Sequence, residues 1–176
     1  MRAYLIFSQS QSAARVYLRL FCATGAELAL YYLETSALVK LFVLEPGTDW
    51  LLRLAKLPEN RLAVLAVSFV EARSAIRRRE RLKDIDSRSA ALILDRLQQH
   101  AEARFLRQAL TDAVLDGAVE IIDRYALRAY DAIQVAGCLA LKTTVGAEPL
   151  TFVCSDQELL QAARSEFLVV MDPCAP

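Results

Sequence analysis

Apolar and polar positions alternate between two rhythms along the chain. Short apolar runs occur at Tyr31 to Glu34 (YYLE), Arg61 to Val67 (RLAVLAV), Thr151 to Ser155 (TFVCS) and Phe167 to Met171 (FLVVM). Their lengths and flanks predict buried strands, the first starting as early as Leu28. Between them the period lengthens. Ser36 to Phe42 predicts a helical turn broken at Pro46-Gly47, and Asp49 to Leu57 a helix opened by Thr48 and closed by Pro58. Ser68 to about Lys83 predicts a third helix. A fourth starts at Asp86 or Ser87 and carries Ala90, Leu94, Leu97, Ala101 and Phe105 on one face. A fifth follows Thr111 or Asp112, with Leu115, Ala118, Ile122 and Tyr125 on one side. Tyr130 to Leu141 (YDAIQVAGCLAL) is apolar on nearly every side after its first turn, as a helix buried on most faces would be. Asp156 opens a last helix to Arg164, and Pro173 stops the final strand.

Strands joined through helices run parallel. The alternation therefore predicts an α/β fold, a three-layer α/β/α sandwich with a central parallel sheet and right-handed crossovers. In such sheets ligands bind at the carboxyl ends of the strands. The pattern holds from 31 to 172. Residues 1–30 do not continue it and form an amino-terminal extension of uncertain structure: an extra helix around Ala13 to Cys22, or an upstream extension from a misassigned start. They lack the apolar core and small-residue cleavage site of a signal peptide.

Composition narrows the function classes. The 176 residues suit one domain, and 55% hydrophobic residues predict a large core. No apolar run is long enough for a membrane span. The formal net charge is zero, so any nucleic-acid contact requires a local basic patch. The four cysteines, Cys22, Cys138, Cys154 and Cys174, form no C-x-x-C pair, and a reducing cytoplasm is expected. Cys138 and Cys154 sit in apolar runs as small buried hydrophobes. The single histidine, His100, lies in a polar stretch, which argues against a mechanism built on a histidine base.

Four acids stand at element ends. Glu34 closes the first strand, Glu71 lies one turn into the helix after the second, Asp131 opens the apolar helix, and Asp156 follows TFVCS. A parallel sheet brings strand-end acids to one rim. Clustered carboxylates raise one another's pKa unless a cation sits among them, and hard oxygen ligands without His or Cys suit Mg²⁺ or Mn²⁺. Such ions commonly act on phosphates. Thr35 and Ser36 could position water or phosphate beside the metal. Each acid also has a simpler role. Ser68-Phe69-Val70-Glu71 matches a capping box, Asp131 and Asp156 favour helix amino termini, and Glu34 could be a solvated strand end.

The wording of four segments resembles the PIN-domain ribonucleases. YYLETSALVKLFVLEPGTDWL is similar to the family's opening, where Asp-Thr-Ser-Ala-Leu-Val-Lys-Leu precedes Glu-Pro-Gly. VSFVEARSAIRRR is similar to its second segment, LRAYDAIQVAGCLAL to its third and FVCSDQELLQAA to its fourth. The resemblance runs from Tyr31 to Asp172, and the order and spacing of the four segments carry it. The nearest group is the VapC-type toxins of type II toxin–antitoxin systems. It implies a Mg²⁺- or Mn²⁺-dependent endoribonuclease, a homodimer held inactive by a cognate antitoxin. Glu34, Glu71, Asp131 and Asp156 would be its acidic catalytic and metal site. Glu34 and Asp131 would be the most direct ligands, and Glu71 and Asp156 would complete the shell or orient water.

One position departs from the family: Glu34 stands where the pattern has Asp. The charge is kept, but the carboxylate moves outward by about 1.5 Å. A non-catalytic or weakened PIN-like binding module is the alternative this change implies. On the helix carrying Glu71, Arg73, Arg77 and Arg81 form a stripe that could hold an RNA backbone, or a solvated face paired with Glu80 and Asp84. Lys40 lies nearer the acidic rim and could contact phosphate. Phe42, Trp50 and Leu51 form an apolar set, by default core, or else a groove for an antitoxin helix.

Overall fold

A computed structural model describes residues 29–146 and 148–176. The amino-terminal extension, including the helix considered around Ala13 to Cys22, lies outside the described residues. Among the described residues five strands and seven helices follow in order: β1 (Ala29–Leu33), α1 (Thr35–Lys40), α2 (Thr48–Lys56), β2 (Asn60–Leu65), α3 (Ser68–Arg81), α4 (Ser87–Ala103), β3 (Phe105–Gln108), α5 (Asp112–Tyr125), α6 (Ala129–Val145), β4 (Leu150–Val153), α7 (Gln157–Ser165) and β5 (Val169–Met171). All strand pairs are parallel, in the order β3-β2-β1-β4-β5. Tyr31 of the central strand faces Leu62 on one side and Thr151 on the other.

Period-two alternation sends successive residues of each strand to opposite cores. Leu30, Tyr32, Ala63, Leu65 and Phe152 pack on one face with α5, α6 and α7 residues such as Ile121, Val135 and Leu160. Leu33, Leu62, Val64 and Val153 pack on the other with Leu38, Leu51, Ile76 and Leu94 from α1 to α4. The sheet is covered on both faces, so the expected three-layer sandwich is the observed one. The strand order reverses between β1 and β4, which places the ligand crevice of such a sheet at their carboxyl ends.

Two elements differ from the pattern reading. Phe105 does not continue the α4 face: it starts β3, a short edge strand whose Leu106 and Arg107 are exposed. Phe167 precedes β5 instead of joining it, with φ of 59° and its ring in solvent. Phe42 and Trp50 are partly buried against the second core and Leu51 fully, the core role rather than the groove. No helix among the described residues is long and apolar enough to cross a membrane.

Candidate functional site

Each carboxyl-end crevice residue owes its position to a helix start. Glu34 is the N-cap of α1, with extended backbone, and its Oε2 accepts from the Ser36 amide at 2.7 Å. A glutamate can fold back in this way only because the next turn begins at once. The side chain is 7% exposed. Burial pushes its carboxyl above the ordinary 4.5, the Ser36 and Cys154 hydrogen bonds pull down, and the Glu71 charge pushes up again. The buried Cys154 thiol donates to the same Oε2 at 3.5 Å and accepts from the Asp156 amide at 3.2 Å, linking the ends of β1 and β4.

Glu71 sits in the first turn of α3, part-buried. Its Oε2 accepts from Thr35 Oγ1 at 2.7 Å and from Gln134 Nε2 at 2.7 Å. The capping box is not formed: Val67 is the N-cap, and Ser68 is already helical. The Ser68 hydroxyl instead accepts from Gln134 Nε2 at 2.9 Å. Gln134 also donates to Thr35 Oγ1 at 3.0 Å and accepts from the Tyr32 hydroxyl at 3.2 Å. Burial holds the Tyr32 phenol well above its ordinary pKa, with the Cys138, Glu34 and Glu71 charges adding to it, so this hydroxyl remains a donor. Gln134 was not among the sequence candidates. Its signal was present, a single amide in an otherwise apolar helix, and a buried amide must find partners.

Asp131 is half-buried in the first turn of α6. Burial raises its carboxyl above 3.8, followed by the Asp156 charge; Arg128 lowers it and Glu158 raises it. Asp156 is exposed and caps α7, its Oδ1 accepting from the Glu158 and Leu159 amides at 2.9 and 3.1 Å. The Glu71 charge thus bears on Glu34, and the Asp156 charge on Asp131. Among the described residues no three His, Cys, Asp or Glu side chains converge tightly enough to hold an ion. The donor chemistry nevertheless fits a hard divalent cation. The hydrogen bonds to Glu34 and to Glu71 all land on Oε2, so Oε1 of each takes none among the described residues. Neither oxygen is sealed from solvent without a partner.

The remaining candidates lie as follows. Ser36 Oγ accepts from the Ser155 amide at 3.1 Å and so ties α1 to the end of β4. Lys40 is 5% exposed, with its ammonium 3.0 Å from Glu45 Oε2; Glu45 also pairs with Arg79. Arg73 is exposed on α3, and Arg77 pairs with Glu80 at 2.7 Å.

A family model described as PIN domain matches residues 31–164. No protein of curated function matches the sequence. Several solved structures share the fold. PAE2754 from Pyrobaculum aerophilum aligns at 23% identity and a TM-score of 0.56, covering 85% of this chain and 87% of its own. A toxin–antitoxin complex from Klebsiella pneumoniae aligns at 17% and 0.56, covering 84% and 99%. VapBC2 from Rickettsia felis, bound to a DNA fragment from its promoter, aligns at 16% and 0.54, covering 81% and 98%.

Proposed function

From a chain that belongs to the PIN domain family, a family of nucleases that generally use divalent metal ions, we propose a Mg²⁺- or Mn²⁺-dependent endoribonuclease, the toxin of a type II toxin–antitoxin pair. One observation carries the reading: Glu34 and Glu71, held by separate helices at the β1 end of the crevice, each keep one carboxylate oxygen clear of hydrogen bonds from the described residues.

Glu34, Glu71, Asp131 and Asp156 would hold the ion, which when bound supplies charge neutralisation at the phosphate and a more acidic water. Thr35 fixes Glu71 and stands beside the crevice. Arg73, on the exposed side of the same helix, and Arg77 next to it offer guanidinium groups to an RNA backbone. Lys40 would reach phosphate only by leaving Glu45. The Klebsiella pneumoniae and Rickettsia felis neighbours are toxin–antitoxin assemblies, which supports a cognate antitoxin as partner. A homodimer acting in the cytoplasm completes the reading.

The test is cleavage of a mixed-sequence RNA with Mn²⁺ and with EDTA. Metal-dependent cleavage lost in Asp131→Asn supports the reading. Cleavage unchanged in Asp131→Asn, or unaffected by EDTA, sinks it.

A further inference from the structure

We infer that Gln134 is a positioning residue of the acidic site, which fixes the orientation of the Glu71 carboxylate. The inference rests on the ribonuclease reading above and adds to it a residue that touches neither ion nor RNA.

Gln134 is 1% exposed, on the helix face turned toward the sheet. A leucine or methionine would fill that volume with no polar group to satisfy. Its amide is instead fully committed. Nε2 carries two hydrogens and faces three acceptors, Glu71 Oε2, Thr35 Oγ1 and Ser68 Oγ, all at 3.0 Å or less. The opposite end, Oε1, receives the Tyr32 hydroxyl. A flipped amide would set its oxygen against the Glu71 carboxylate. Charge at one end and the phenol at the other therefore select one orientation.

The backbone makes room for this arrangement. A Cβ on Gly137, one turn along α6, would lie 2.7 Å from the Tyr32 hydroxyl oxygen and 2.9 Å from Leu65 Cδ1. With glycine there, the phenol can reach Gln134. The chain of contacts runs Gly137, Tyr32, Gln134, Glu71, and it ends on a carboxylate that takes both bonds on one oxygen, Oε2. Without Gln134, Glu71 keeps, among the described residues, the Thr35 hydroxyl alone, which itself loses a donor.

The test compares wild-type, Gln134→Met, Tyr32→Phe and Ile121→Val proteins. Ile121 is a buried core residue of α5 and reports generic destabilisation. Free Mn²⁺ is measured by electron paramagnetic resonance, kcat and KM on a mixed-sequence RNA, and folding by thermal unfolding. Tyr32→Phe removes a single oxygen, so it reports even where Gln134→Met folds poorly. Outer contacts to metal-binding groups typically change affinity or activity about 10–100-fold. Gln134→Met and Tyr32→Phe should weaken Mn²⁺ binding and lower kcat within that range while KM holds, and Ile121→Val should do neither. Wild-type Mn²⁺ affinity and kcat in both network variants would overturn the inference while leaving the ribonuclease reading intact. A wild-type protein that neither binds Mn²⁺ nor cleaves RNA would overturn that reading, and the inference with it.

Discussion

Thr35 Oγ1 donates to Glu71 Oε2 at 2.7 Å across 36 residues of sequence. The hydroxyl after the first acid thus serves the second acid, not its neighbour. A side-chain hydroxyl in this role holds a charged acceptor, which makes the bond stronger than a neutral one. Thr35→Val keeps the shape and removes the donor. Cleavage should fall about 10-fold or more, as for other contacts that orient a ligand, and Thr35→Ser should retain most of it.

Glu34 offers a second test. Aspartate is the better N-cap, so Glu34→Asp should preserve the Ser36 contact and α1. The carboxylate retracts by about 1.5 Å, and misplacement of about 1 Å can cost about 10²-fold in rate. Glu34→Asp should therefore raise metal-dependent kcat/KM, read on the same RNA as wild type. A fall in kcat/KM would show that the longer acid is the one this crevice is built around.

The Lys40–Glu45–Arg79 group predicts an asymmetry in stability. Glu45 is the shared anion of two cations, one of them nearly buried. Removing one partner of a buried pair costs about 3–5 kcal/mol, because a charge is left unpaired. Glu45→Gln should lower unfolding free energy by an amount of that order, and Lys40→Met by much less, since Arg79 still faces Glu45. Urea denaturation of the two variants compares them directly.

His100 reports on pH. Its ring meets Phe42 edge-on at 5.8 Å. Burial first, then the charges of Arg104 and Arg96, holds its pKa below 6.5. Between the folded value and 6.5 the unfolded chain binds more protons than the native protein. Stability from this group is thus complete above 6.5 and is lost as pH falls through the folded value. Glu34 and Asp131, with raised values, act in the opposite sense, so the quantity to measure is the difference between wild type and His100→Gln. The gap in unfolding temperature should change between about pH 7.5 and 5; a constant gap would refute the assignment.

Gly137→Ala probes the cradle around Tyr32. Overpacking of a filled core costs about 1–3 kcal/mol, and part of the clash is with the hydroxyl alone. Gly137→Ala in a Tyr32→Phe background should therefore destabilise less than in wild type, a non-additivity visible in thermal unfolding.

The layered sheet was legible because β1, β2 and β4 are apolar on both faces and their flanking helices are amphipathic. β3 was not. Phe105 falls on the period of α4, and Leu106 and Arg107 face solvent on an edge, so a helical reading absorbed the strand. At the site, the element ends carrying Glu34, Glu71, Asp131 and Asp156 could be read from spacing. Which acid's charge bears on which could not, since that depends on rotamers and on Cys154 between two strands. Lys40 reads as available in the sequence because its partner, Glu45, sits beyond the end of its own helix. Gln134 carries its signal in its burial, not its period: a lone amide among the buried apolar positions of α6 must find partners, but spacing does not say which.

The hydrogen bonds around Glu71 join β1, α1, α3 and α6, with sequence separations from 36 to 102. Such distant pairings form late and together. A polypeptide still on the ribosome, with α6 in the exit tunnel, has its first two acids and the Thr35 hydroxyl but not the Gln134 amide that also holds the second. The full set of hydrogen bonds to Glu71 is thus completed only after α6 has been synthesised.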